Sequence, residues 1–86
     1  MQSFTVVFHD AAGMHTRPAA ALVQLAKTFS SDILLQKGSK TAPATQLIKL
    51  MGLGVVQADM VSVLVEGDDE IEAAIAVRNL LEADHA

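Results

Sequence analysis

The segment Gly13-Met14-His15-Thr16-Arg17-Pro18-Ala19-Ala20 holds the side chains best suited to chemistry. His15 stands just ahead of a stretch that reads as a helix, and Arg17 and Pro18 follow within three positions. The first turn of a helix leaves backbone N–H groups without partners and carries partial positive charge, which suits a phosphate or another anion. A guanidinium nearby can grip phosphoryl oxygens through two N–H donors. Proline near the helix start presets its own φ at no cost in hydrogen bonds. The same field disfavours imidazolium, and a neutral ring keeps an electron pair that can attack phosphorus. His15 and Arg17 therefore offer a nucleophile and a charge clamp beside an anion cradle, and phosphoryl transfer asks for little more than positioning and charge stabilisation. On residue types alone a second reading stays open, in which His15 is a solvated side chain or a helix cap and Arg17 a surface residue.

The elements that must position this segment can be read from periodicity. Residues 3–8, with Phe4, Val6 and Phe8 alternating, predict a first strand, and a loop with its bend at Gly13 follows. A helix is expected over 16–28, with Ala19, Leu22, Val23, Ala26 and Phe29 as its apolar stripe. Residues 32–37 and 40–44 read as a hairpin turning at Gly38-Ser39, with Pro43 marking a short or edge strand. A short helix is expected over 46–52, with Thr45 as its N-cap and Gly52 or Gly54 ending it. Val61, Val63 and Val65 place a strand over 60–66. A last helix is expected over 69–83, with Asp69, Glu70 and Glu72 at its start and Ala74, Val77 and Leu81 facing inward. The order β-α-β-β-α-β-α, with alternating strands and one-faced helices, predicts an α+β domain of one antiparallel sheet with its helices on a single side, spanning residues 1–86.

Composition narrows the setting. The chain is 51% hydrophobic with three Phe as its only aromatics, which suits a compact aliphatic core and not disorder. It has no cysteine, so disulfides and cysteine-based zinc sites are excluded and a reducing compartment is expected. No apolar run is long enough to span a bilayer, and the N-terminus has no secretory pattern, so the expectation is cytoplasmic. Net charge is −4 but uneven: residues 1–58 carry five cations and two acids, residues 59–86 one cation and eight acids. Nucleic-acid binding is not expected from such a chain, whereas the mildly basic half around His15 suits an anionic ligand or an acidic partner. His9 and His85 lack neighbours that would make a catalytic or metal site, and the acidic run 66–70 lacks the length and spacing of a calcium loop.

GMHTRPAA resembles the phosphorylation signature of the HPr phosphocarrier family of the bacterial sugar phosphotransferase system. The resemblance extends through LVQLAKTF, the turn at KGSK, LIKLMGLG and VSVLVEGDDE, with fitting spacing. It implies an open-faced β-sandwich of four antiparallel strands with three helices on one side. It also implies that His15 takes a phosphoryl group on Nδ1 from enzyme I, which draws it from phosphoenolpyruvate, and hands it to enzyme IIA domains of sugar permeases. Arg17 would steady the phosphoryl oxygens, with no metal or other cofactor on the carrier. Met14, Thr16, Ala20, Leu47 and Met51 would form an apolar docking surface, with Lys27 and Lys49 at its rim. The protein would be a monomer and a stoichiometric carrier rather than a turnover enzyme. An alternative within the same fold is a regulatory binding module of a specialised, nitrogen-type or other, kind. Two positions depart from the family pattern. Ala12 replaces the Asn or Ser that many members have before the glycine. Gln46 stands where many have a regulatory serine, so serine-type regulation is not expected.

Overall fold

The computed structural model describes residues 1–83. Strand β1 (Gln2–Val7) leads to helix α1 (Thr16–Ala26). The hairpin β2 (Asp32–Lys37) and β3 (Lys40–Pro43) follows, then α2 (Leu47–Gly52), β4 (Met60–Glu66) and α3 (Glu70–Glu82). The four strands form one antiparallel sheet, as the alternation of the strands led one to expect, in the order β1-β4-β2-β3. His85 lies outside the described residues.

Register explains why one face is apolar. Val6 pairs with Val61, Phe4 with Val63, Leu35 with Val63 and Ile33 with Val65, so one apolar row of side chains runs across three strands. Val61, Val63, Val65, Leu35 and Ala42 are wholly buried there, beneath Ala19, Leu22 and Ala26 of α1, Leu50 of α2, and Ala73, Val77 and Leu81 of α3. The opposite face, with Thr5 beside Ser62 and Ser62 beside Gln36, is left uncovered.

Three expectations need correction. The inner face of α3 is Ala73, Val77 and Leu81, and Ala74 is only half-buried at its margin. Helix α1 stops at Ala26, two residues early: Lys27 caps it, and the Thr28 hydroxyl donates to the Leu25 carbonyl at 2.7 Å, which draws the chain out of the helix. The N-cap of α2 is Gln46 rather than Thr45. The Gln46 amide donates to the Pro43 carbonyl in a turn that closes β3, so the helix cannot begin before Leu47, and exposed Thr45 sits one residue too early to cap it. At the other end, Gly54 takes φ +71 just beyond the Leu53 cap and its amide bonds to the Met51 carbonyl, the left-handed stop expected of one of the two glycines.

Candidate functional site

The loop between β1 and α1 is wound around Asp10. Its Oδ1 accepts the Ala12 N–H at 2.9 Å, an aspartate turn, and its carbonyl accepts the Gly13 N–H at 3.0 Å. Gly13 then takes φ +75, a conformation that glycine adopts freely. A Cβ at Gly13 would lie 2.6 Å from the Val55 carbonyl oxygen, the same oxygen that accepts the Met14 N–H at 2.9 Å. The loop is thereby pinned to the segment that connects α2 to β4.

That path delivers His15 to the N-cap of α1 with extended backbone, its carbonyl accepting the Ala19 N–H at 3.1 Å. The side chain makes no capping bond, and the ring turns back toward the loop. Its Nε2 lies 3.2 Å from Oδ2 of Asp10, whose side chain is 8% exposed against 38% for His15. Helical geometry leaves the amides of Thr16 and Arg17 without intrahelical acceptors, and Pro18 has no N–H. Arg17 is exposed one residue into the helix. The start of α1 thus carries the imidazole at its cap and Arg17 in its first turn, and the Asp10 carboxylate faces Nε2 of the ring.

The docking residues are divided. The Thr16 hydroxyl lies 3.9 Å from the sulfur of Met51, so the start of α1 and the end of α2 form one surface. Leu47 and Met51 are half-buried against the core, Ala20 is half-buried and Lys49 is exposed. Met14 departs from the expectation. It is 5% exposed and belongs to the core, because its backbone bond to Val55 turns the side chain inward. Lys27 is exposed but caps the C-terminus of α1, about 18 Å along the axis from His15 at 1.5 Å per residue. Sequence reasoning missed Ile48, 78% exposed on α2, and Val56, 56% exposed beyond Gly54. It also missed Asp10, although an aspartate two residues before an amide in a short loop is a recognisable turn signal.

A family model for the HPr component of the phosphotransferase system, described by its phosphorylation site, matches residues 2–83. The chain belongs to the HPr family. The phosphocarrier protein HPr of Haemophilus influenzae is 44% identical over 61 residues, 71% of this chain and 72% of that protein. That of Vibrio cholerae is 44% identical over the same shares. Among solved structures, HPr-C-His of Thermoanaerobacter tengcongensis superposes with a TM-score of 0.90 at 41% identity, covering 95% of this chain and 92% of that one. HPr of Bacillus anthracis gives 0.89 at 31% identity, covering 94% and 96%. The open sheet with three helices is therefore the HPr fold, and the loop that carries His15 lies within the matched span.

Proposed function

We propose that this HPr-family phosphocarrier accepts a phosphoryl group from phosphorylated enzyme I on His15 and passes it to enzyme IIA domains for sugar uptake. The observation that carries the reading is the half-exposed imidazole at the mouth of α1, with Arg17 and two free helix amides beside it. A ring nitrogen attacks phosphorus, the bond from phosphorus to the enzyme I donor breaks, and the departing electron pair stays with that donor. The amides of Thr16 and Arg17 and the Arg17 guanidinium meet the phosphoryl oxygens, where the charge is spread in the transition state. Transfer onward repeats the displacement in the opposite sense. The chain acts as a stoichiometric cytoplasmic carrier and as a monomer.

Docking uses the surface where α1 begins and α2 ends. Thr16, Ala20, Leu47 and Met51 supply apolar and small contacts around the imidazole, and Ile48 widens the patch. Lys49 at the edge favours acidic partner surfaces. The test is incubation with phosphoenolpyruvate, magnesium and a general enzyme I, followed by intact-mass measurement. One phosphoryl group should be added, lost in acid and stable in base. His15→Ala should abolish the gain, while His9→Ala and His85→Ala should leave it; labelling that survives His15→Ala would refute the assignment.

A further inference from the structure

We infer that Asp10 is a positioning residue for this transfer: its carboxylate keeps the proton on Nε2 of His15 and so leaves the attacking electron pair on Nδ1. The inference rests on the carrier role proposed above and deepens it. A carboxylate only accepts hydrogen bonds, and a neutral imidazole has one N–H and one lone pair. With Oδ2 of Asp10 at 3.2 Å from Nε2, the nitrogen facing the carboxylate is the one that bears hydrogen. Nδ1 is then the nucleophile, by geometry rather than by analogy.

The carboxylate is held as firmly as the ring it holds. Its other oxygen accepts the Ala12 N–H at 2.9 Å, its own carbonyl accepts the Gly13 N–H, and its side chain is 8% exposed. The proton balance is simple. As Nδ1 bonds phosphorus, the donor bond to phosphorus breaks and Nε2 retains its proton, so no base is required. The ring gains positive character during the step, and a carboxylate already faces it, much as the aspartate of a serine-protease triad faces its histidine. The arrangement also places the two negative groups, carboxylate and phosphoryl, on opposite nitrogens of the ring.

Asparagine cannot replace Asp10, because two acceptors are in use and a carboxamide supplies one. In Asp10→Asn either the bond to Ala12 is lost or an NH2 group faces Nε2, which makes Nε2 the acceptor and moves the proton to Nδ1. The experiment is 15N spectroscopy of the His15 ring in the unphosphorylated, full-length protein at alkaline pH, followed by initial rates of phosphorylation by enzyme I. The parent should show Nε2–H almost exclusively. Asp10→Asn should shift the population toward Nδ1–H and slow transfer on the order of 10- to 100-fold, the usual cost of losing the carboxylate partner that orients a functional histidine. Asp10→Ala should show the mixed tautomers of a free imidazole and an intermediate rate. Because the parent alone reports the tautomer, loss of folding in a variant does not remove the test. An Nδ1–H parent ring overturns the inference, as does a folded Asp10→Asn with unchanged tautomer and rate. A parent with Nε2–H that takes no phosphoryl group overturns the carrier reading itself, and the transfer role of Asp10 with it.

Discussion

Arg17 and Gly13 are four positions apart, and their replacement should be felt in different measurements. Arg17 is exposed at the start of α1, so Arg17→Ala should change stability by no more than about 0.5 kcal/mol. It should nevertheless slow phosphoryl transfer by about 100- to 1,000-fold, as loss of a transition-state donor does. Paired thermal melts and single-turnover rates check both halves. Gly13→Ala should do the reverse of sparing the fold. The left-handed backbone and the clash with the Val55 carbonyl together should cost about 2–3 kcal/mol, read as a lower urea midpoint. The placement of His15 and Arg17 at one helix start could be read from the sequence because it depends only on spacing along the chain. Asp10 could not be assigned a role, because its contact with the ring depends on how the loop folds back. Met14 was misplaced for the same reason: neither face of an irregular loop has a period to read.

At the level of the elements, the start of α3 does more than begin a helix. Asp69 is its N-cap, but its side chain bonds to none of the helix's own amides. Its carboxylate instead accepts the Ser30 and Ser31 amides, at 2.8 and 2.9 Å, and the Ser31 hydroxyl, fastening the end of α1 to the start of α3. Gly67 makes this approach possible, since a Cβ there would lie 2.6 Å from Cα of Ser31. The Ser31 hydroxyl first, and the serine amides with it, hold the Asp69 carboxyl below the ordinary carboxylate range. A carboxyl whose value is depressed in the folded state stabilises that state above its unfolded value, and the contribution is lost as pH falls through the folded value. Asp69→Asn should therefore be less stable than the parent at neutral pH. The gap should narrow from about pH 4 downward, as urea titrations at neutral pH and pH 3 would show. The acidic start of α3 was legible from composition, but its partner was not, since the clamp joins residues 38 positions apart. The element order and the single helix-covered face were legible because alternation and 3.6-residue spacing carry them, whereas the order of strands in the sheet was not, since periodicity does not say which strands pair. The start of α2 was not, because the turn after Pro43 competes with Thr45 for the cap.

Across the whole molecule, charge is sorted by the direction of α1. The Asp69 clamp lies just past the C-terminal end of α1, so the acidic run 66–72 gathers at the end opposite His15, beyond the Lys27 cap that stands about 18 Å along the axis. The site end keeps Arg17 and Lys49 and lacks that acidic run, which agrees with docking to acidic surfaces. The strand order carries a further expectation. Strand β1 pairs with β4 alone, and Phe8 continues the ladder through bonds to Ala58 and Asp59. A chain ending after residue 58 keeps His15, Arg17 and the whole of α1, yet it should neither fold nor accept a phosphoryl group. Circular dichroism and intact mass check it, and stoichiometric labelling of that fragment would show that the site assembles locally.

The same pairing has a meaning during synthesis. The first strand to leave the ribosome waits for the last, because the neighbour of β1 is not made until residue 66. Until then the loop that hangs from β1 has no frame, and His15 is an ordinary histidine on a nascent chain. Under the proposed carrier role, partners that recognise the assembled surface would be spared competition from chains that have not yet made β4, and a phosphoryl group on His15 would mark a chain whose sheet is closed.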